Sequence, residues 1–438
     1  MKKIFLSVVF FLSGIVLLFG AEFDKFLFEN RENYWELTET EIKKSFPNSF
    51  KFTSQKHDEL RYNMRETKNK LTIKKFVVPE VVFSFAAGKV SEITVSIFNR
   101  GDYQFGIKKE AAILKMFESY VGELGGKVIE SQKRRIEKTN VVYKRFGDEF
   151  NDYVYMVGNS DRGVEFINLK IVASGKAKSI RDMFKTRVTK LGNLTLNLQD
   201  DGSGGIYLDI PMVDQGQKGY CVCATVERIL KYYQSDVDQH ILAQIMKTEQ
   251  QGTSLEVAME ALDGMRAKLR IKSKELIKNE AFNKVQDFEK VTKKYNRLAK
   301  RQKRNTIEFD EFIVRNGNKK SLEVDRLFSE YEYDLFRDIM CDDQMKQESF
   351  IRYVKKYVKK GYPLAWATWV FKNEKAGQKI GGIGSHMRII NGINEEKKLI
   401  IYTDSYGAGH EKKEMSYEDA FAKTRYLVLI TPISMRVE

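Results

Sequence analysis

The stretch from Asp214 to Tyr233, DQGQKGYCVCATVERILKYY, constrains the fold more than any other part of the chain. Gly216 and Gly219 allow a tight loop, and the apolar residues that follow recur at helical spacing, so one face of a helix must be buried. Cys221 begins that helix, where unpaired backbone N–H groups and the helix dipole favour negative charge. This environment lowers the pKa of a thiol and makes it nucleophilic, so Cys221 is the first candidate for a catalytic residue.

A second constraint comes from two apolar segments near the C-terminus, HMRIINGI and LIIYTD, which a polar turn at residues 394–398 separates. This pattern predicts two antiparallel strands. His386 begins the first strand and Asp404 ends the second, so the hairpin should bring the two side chains together. A cysteine nucleophile needs a base, and the base needs a group that fixes its orientation. Cys221, His386 and Asp404 supply all three.

The glutamine before the glycines completes a recognisable pattern. Gln215-Gly216-x-x-Gly219-x-Cys221 resembles the active-site segment of papain-like cysteine peptidases. In that family a glutamine six residues before the nucleophile donates to the oxyanion hole, and the resemblance implies the same role for Gln215. The HMRIING and TDSYG segments resemble the two strands that carry the histidine and the Asn or Asp in that family.

Other features resemble the bacterial branch related to the double-glycine leader peptidases (C39-like). They are the V-D-Q sequence before the loop, the helix ending in two tyrosines, and Asp404 in the third catalytic place. The likeness covers roughly Tyr207 to the C-terminus. It departs from these families at Val222, where they carry Trp or Gly, and at the additional thiol of Cys223.

The resemblance implies a cysteine peptidase that hydrolyses peptide bonds through a Cys-His-Asp triad and an acyl-enzyme. Two alternatives stay open. The same triad serves acyltransferases and isopeptide-forming enzymes, and a peptidase fold can also act as a catalytically silent binding module. No cofactor is expected. A metal site at C-x-C is disfavoured because a second Cys/His pair at ligand spacing is missing.

His57, His240 and Cys223 are assigned structural roles. His57 has no cluster around it, and His240 belongs to a short helix. His410, six residues after Asp404, is a weaker second candidate for the base. Cys223 lies about 200° around the helix from Cys221, so we expect it to face the core.

Residues 1–21 have two lysines, an apolar run and then small residues, which is typical of a secretory signal. The run at residues 4–21 is nearly long enough to span a bilayer, so an uncleaved anchor is the alternative. Both interpretations predict export to the cell envelope or the medium.

The fold class predicted for the exported part is α+β. Residues 22–199 alternate aromatic-rich strands with a helix and predict an α+β accessory domain. The Gly-rich stretch at 200–205 is interpreted as a linker, and residues 206–438 as the papain-like peptidase domain.

Residues 273–335 are interpreted as a helical insertion in the peptidase domain, strongly basic between Lys290 and Arg304. The whole chain carries a net charge of +15. Two hypotheses fit the basic run: a solvated helix surface, or an arm that docks on an anionic surface. No specific nucleic-acid partner is predicted, and the expected substrate is a peptide or protein.

Overall fold

The computed structural model describes residues 21–100, 110–136, 139–178, 194–216, 219–235, 239, 242–243, 246, 248, 255–264, 266, 270–282, 284–316, 319–371 and 384–433. These residues form an N-terminal domain and a C-terminal domain, each built on an eight-stranded, mainly antiparallel sheet. Helices cover the sheets without alternating regularly with the strands. The α+β class is confirmed.

The elements of the N-terminal domain begin at Ala21. Its strands are β1 (Ala21–Glu22), β2 (Phe50–Phe52), β3 (Glu59–Asn63), β4 (Leu71–Ile73), β5 (Phe76–Val77), β6 (Glu80–Ala86), β7 (Lys89–Asn99), β8 (Lys127–Ile136), β9 (Thr139–Gly147), β10 (Asn151–Ser160) and β11 (Gly163–Ala173). Its helices are α1 (Phe23–Glu29), α2 (Glu39–Ser45) and α3 (Glu110–Gly125). The large sheet has the strand order β2-β3-β6-β7-β11-β10-β9-β8, and β1, β4 and β5 form a small second sheet.

Strands β6 and β7 form a hairpin whose turn is Ala87-Gly88. Ala87 and Gly88 both have positive φ, 52° and 78°, as a two-residue type I′ turn requires. The helix expected among the strands of residues 22–199 is present as α3, and β8 to β11 follow it.

Strand β10 shows how the two domains are joined. Tyr153 and Tyr155 point into the apolar core shared with the N-terminal helices. Val154 and Met156, on the opposite face, belong to the core of the C-terminal domain. Because side chains alternate along a strand, the N-terminal sheet buries both of its faces here. The accessory domain is therefore packed directly against the C-terminal domain through apolar side chains.

The C-terminal domain begins with β12. Its strands are β12 (Leu198–Asp200), β13 (Gly205–Leu208), β14 (Ile271–Lys278), β15 (Ile313–Asn316), β16 (Lys319–Leu322), β17 (Leu364–Val370), β18 (Gly384–Asn394), β19 (Leu399–Thr403), β20 (Lys413–Ser416) and β21 (Thr424–Pro432). Its helices are α4 (Cys221–Tyr232), α5 (Leu255–Gly264), α6 (Val285–Arg301), α7 (Val324–Glu330), α8 (Tyr333–Cys341), α9 (Gln344–Val358) and α10 (Tyr417–Lys423). The sheet order is β12-β13-β18-β17-β21-β14, and β19 and β20 extend from β18.

The Gly-rich stretch at residues 200–205 is a hairpin turn, so the linker prediction is wrong. Strands β12 and β13 pair antiparallel on either side of it. The Asp201 carboxylate accepts hydrogen bonds from the N–H groups of Ser203 and Gly205, each at 2.8 Å. Linkers and tight turns share this Asp, Gly and Ser composition, which is why the sequence did not separate them. The last strand of the N-terminal sheet ends at Ala173, and the first strand of the C-terminal sheet begins at Leu198.

The basic insertion also differs from its prediction at its start. Residues 273–278 lie in β14, which pairs with β21 in the central sheet. The segment that follows, through α6, α7 and α8, has an apolar cluster of its own that packs against Trp369 and Phe371. The Phe328 ring stacks on Trp369 with centroids 4.0 Å apart. The insertion is therefore a packed lobe with a basic outer face.

The signal or anchor prediction falls on residues 1–20, which lie outside the described residues, and so does His240. Within the described ranges, none of the helices has the length and apolar character needed to cross a bilayer.

Candidate active site

Cys221 is the first residue of α4, a helix whose Tyr220 N-cap provides no side-chain hydrogen bond to its first turn. The thiol is partly accessible and forms a hydrogen bond with His386. Burial alone would raise the pKa of Cys221, but this hydrogen bond and the charge of His386 lower it below its ordinary value. Backbone groups of Met387 and Val222 add to the lowering. The site therefore favours the thiolate.

His386 lies in β18, with its backbone paired to Thr368 of β17. Its side chain is buried, and Nε2 lies 2.6 Å from Oδ1 of Asp404. The other ring nitrogen, Nδ1, is thereby left for the thiol. Tyr406 stacks on the imidazole with ring centroids 5.0 Å apart. Burial acts to lower the pKa of His386, but Asp404 and then Cys221 outweigh it and raise the pKa to about 9.

The pairing of β18 with β19 explains why Asp404 reaches His386. Ile389 is opposite Thr403, so the next residues, Arg388 and Asp404, face each other just beyond the paired segment. His386 is two residues from Arg388 on the same face of the strand, within diagonal reach of Asp404. The hairpin predicted from the sequence thus produces the His–Asp contact.

Asp404 is fully buried among cations. Nε of Arg388 lies 3.5 Å from Oδ1, and Nζ of Lys413 lies 3.5 Å from Oδ2. Burial acts to raise the pKa of Asp404, but Arg388, His386 and Lys413 hold it well below its usual range. The carboxylate therefore stays ionised and acceptor-only, which fixes the Nε2–H tautomer of the imidazole.

Gln215 is held close to this group. Its backbone N–H donates to the carbonyl oxygen of Ser405, the residue after Asp404, at 2.9 Å. Gly216 follows with a φ of +66° and donates its N–H to Oδ1 of Asp214 at 2.8 Å. The turn keeps the buried Gln215 side chain at the start of the loop that leads to Cys221.

Residues 297–430 match the Peptidase_C39 like family. A C39-like domain is therefore present in the C-terminal region. The resemblance inferred from sequence is confirmed there. The match covers less than half of the chain; it includes His386 and Asp404 and begins after Gln215 and Cys221. No curated protein matches the chain in sequence.

Arg228 connects the parts of the C39-like site, and sequence reasoning missed it. Its guanidinium donates to the carbonyl oxygens of Asp404 at 2.7 Å and Pro211 at 2.9 Å, and to Oγ1 of Thr403 at 2.5 Å. Arg228 therefore ties the nucleophile helix to the strand that carries the aspartate. A signal was present, because Arg228 is seven residues after Cys221 and shares its helix face.

Arg388, Lys413 and Tyr406 were also missed. Arg388 could have been found, because it follows His386 by two residues and so shares its strand face. Tyr406 lies in the polar segment after β19 and Lys413 begins β20, and no periodicity in this part of the sequence marks side chains that turn inward. Both contact the triad, Lys413 at Asp404 and Tyr406 on the His386 ring.

The alternative histidines do not take the place of His386. His410 accepts a hydrogen bond at Nδ1 from Nζ of Lys413 at 2.8 Å. Burial and then Lys413 lower the pKa of His410, and its carbonyl oxygen supports the Asp404 backbone. His57 is exposed and stacks on Phe52 in the N-terminal domain.

The two other cysteines lie away from the triad. Cys223 is fully buried, with Sγ 3.2 Å from Oγ1 of Thr248, as its helical position predicts. Burial raises the pKa of Cys341 to about 11. All three cysteines are free thiols. The described ranges contain no group of three or more His, Cys, Asp or Glu residues that could hold a metal ion.

Proposed function

We propose that the protein hydrolyses peptide bonds through Cys221, His386 and Asp404. The observation that carries the proposal is the continuous hydrogen-bonded chain from the Cys221 thiol through the His386 ring to the Asp404 carboxylate. A lowered thiol pKa beside a raised imidazole pKa favours a thiolate–imidazolium pair. Such a pair supplies a nucleophile and a general acid together, as acyl transfer requires.

In the first half of the reaction, the Cys221 thiolate attacks the carbonyl carbon of the substrate and forms a C–S bond. The His386 imidazolium then gives its proton to the amide nitrogen, the C–N bond breaks, and the amine leaves. In the second half, neutral His386 takes a proton from water, and the hydroxyl oxygen attacks the thioester. The C–S bond breaks, which releases the acid and restores the ion pair. Asp404 holds the imidazole in one orientation throughout.

The oxyanion formed at each step needs hydrogen-bond donors already in place. We assign this role to the side-chain amide of Gln215 and the backbone N–H of Cys221. Replacing Gln215 with Ala should lower kcat about 100- to 1000-fold, the usual loss when one oxyanion donor is removed.

Active-site labelling of the purified protein tests the proposal. An epoxide or vinyl-sulfone peptide probe should label Cys221 in the folded protein and fail to label it after denaturation. Cys221→Ala should lose both labelling and turnover of a fluorogenic peptide library. A folded protein that neither reacts with the probe nor cleaves any peptide would point to the silent binding module. Mass analysis of products with added amines separates hydrolysis from acyl transfer, since a transferase would give the amide adduct.

A further inference from the structure

The accessory domain contacts the loop that carries Gln215 through a buried charge network. Arg61 of β3 donates hydrogen bonds to the carbonyl oxygen of Asp214 and to the carboxylate of Glu80. Its NH1 also lies 3.2 Å from Oδ1 of Asp214. The side chains of Arg61 and Glu80 are 4 % and 6 % exposed. The residue immediately before Gln215 is thus fixed, at both its backbone and its side chain, by the other domain.

Two further contacts hold the same loop. A Cβ added to Gly216 would lie 2.4 Å from Nδ2 of Asn63, so the turn packs tightly against the end of β3. At the other end of the loop, the hydroxyl of Tyr220 donates to Oδ1 of Asn99 at 2.6 Å, and both residues are buried. Tyr220 directly precedes Cys221. The N-terminal sheet therefore contacts the segment between Gln215 and Cys221 at its beginning and at its end.

We propose that the N-terminal domain completes the active site, with Arg61 as the positioning residue that holds the Asp214–Gly216 turn and thereby the Gln215 amide at the oxyanion. This inference rests on the function proposed above. An oxyanion hole is effective because its donors are fixed before charge develops. A loop containing two glycines does not supply that rigidity alone. The forked guanidinium of Arg61 supplies this rigidity, because it can bind the Asp214 backbone and the Glu80 carboxylate at the same time.

Removing Arg61 alone would take a cation away from the buried carboxylate of Glu80, so the main test uses Arg61→Gln/Glu80→Gln, which neutralises both side chains of this pair. We expect kcat/KM for a peptide substrate to fall about 100-fold, the cost of a misplaced catalytic group. Alkylation of Cys221 by iodoacetamide forms no oxyanion. Its rate and pH dependence should therefore stay those of the wild type.

A double-mutant comparison distinguishes positioning from general damage. In a Gln215→Ala background the Arg61→Gln/Glu80→Gln change should have little further effect, because the group that Arg61 positions is gone. Arg61→Lys, which keeps the charge beside Glu80 but loses the fork, should show a smaller loss of kcat/KM with unchanged alkylation. The matched control is Lys56→Ala. Lys56 pairs with Asp209 across the same domain boundary, but both side chains are exposed.

Three results would overturn the inference: wild-type kcat/KM in both Arg61 variants, losses that multiply in the Gln215→Ala background, or alkylation that falls in parallel with turnover. Hydrogen exchange at the backbone N–H of Gln215, which donates to the carbonyl oxygen of Ser405, provides a readout that does not depend on turnover. Exchange should be faster in the Arg61 variants and unchanged in Lys56→Ala. A wild-type protein with an unreactive Cys221 and no turnover would refute the proposed function, and unchanged exchange would then also refute the positioning role.

Discussion

Asp404→Asn tests the electrostatics of the site most directly. The pKa of His386 is raised from 6.5 to about 9, which corresponds to about 3 kcal/mol in favour of the imidazolium. Asp404 is the main cause of the increase, and burial opposes it. Removing one opposite charge at this distance typically changes a pKa by about 1–3. We therefore expect the pKa of His386 in Asp404→Asn to fall by about 1–3, from about 9 toward its ordinary value of 6.5.

The direction of each change with pH follows from the protonation states of Cys221 and His386. Activity needs a deprotonated thiol and a protonated imidazole, so kcat/KM should fall on the acid side as Cys221 is protonated. It should fall on the alkaline side as His386 loses its proton, near pH 9 in the wild type. In Asp404→Asn the alkaline limb should move down by about 1–3 pH units. The acid limb should change little, because at acid pH the imidazolium keeps the charge and hydrogen bond that lower the pKa of the thiol.

The assay is a kcat/KM profile across pH with a fluorogenic peptide, paired with iodoacetamide alkylation to locate the acid limb. Lys413→Gln is the control, because the charge that it removes has the opposite sign to that of Asp404. It removes a cation 3.5 Å from Asp404, so the alkaline limb should move up or stay. Asp404→Ala should lose more activity than Asp404→Asn, since an amide can still orient the ring. An Asp404→Asn enzyme with the alkaline limb of the wild type would refute the reasoning. Thermal unfolding should be followed in parallel, because Arg388 and Lys413 both face the carboxylate that is lost.

The remaining predictions concern thiol selectivity, the basic lobe and export. Alkylation at mildly acidic pH should mark Cys221 alone, because its pKa is lowered and Cys223 is enclosed in the core. If the exposed face of α6 docks on an anionic surface, reversing the charge of Lys294, Arg297 and Arg301 to Glu should weaken binding to anionic phospholipid vesicles, and salt should weaken wild-type binding steeply. Residues 1–21 predict that cell fractionation will find the protein in the envelope or the medium.

Each of these predictions has a matched control. Cys223→Ala should keep labelling and turnover, and a label on Cys223 would contradict the Gln215 alignment. Deleting α6 would remove the buried Phe288 and Tyr295, so charge reversal is the cleaner change. Reversing three other exposed charges, those of Arg352, Lys356 and Lys360, controls for net charge, and equal loss of binding would count against α6. A cytoplasmic protein with Met1 intact would contradict export.

Local patterns predicted the elements that carry the candidate triad. The alternation in residues 386–404 and the polar turn between the strands are enough to specify a hairpin, and a hairpin specifies which ends meet. The helix after Gly219 was predicted for the same reason, because its buried stripe repeats along the sequence. The prediction that Cys223 faces the core came from the geometry of that helix alone. A single sequence is therefore sufficient to predict elements that are specified by the spacing of apolar residues and by the composition of a turn.

The sequence was weaker where function depends on contacts between distant segments. Strand β14 lies beside β21 although about 150 residues separate them, and its charged residues hid its place in the sheet. The turn at residues 200–205 had the composition of a linker. The sequence shows which face of its element a buried arginine occupies, but it does not show the arginine's partners, because Asp404 and Thr403 lie far along the chain from Arg228.

The role of Arg61 also depends on a contact between distant segments, and this contact has the largest consequence for the proposed mechanism. Nothing near Arg61 in sequence distinguishes it from the exposed charges of an alternating strand, since its partner Asp214 lies in the other domain. The cost of burying a guanidinium is offset only by several simultaneous hydrogen bonds, which Glu80 and Asp214 together provide. A surface linkage would not need such a network; the Lys56–Asp209 pair joins the same domains while exposed to solvent. The buried network lies beside the one turn whose position the proposed chemistry depends on. We therefore expect Arg61→Gln/Glu80→Gln to keep the triad in place but loosen the turn at Gln215, which faster hydrogen exchange at the backbone N–H of Gln215 would show.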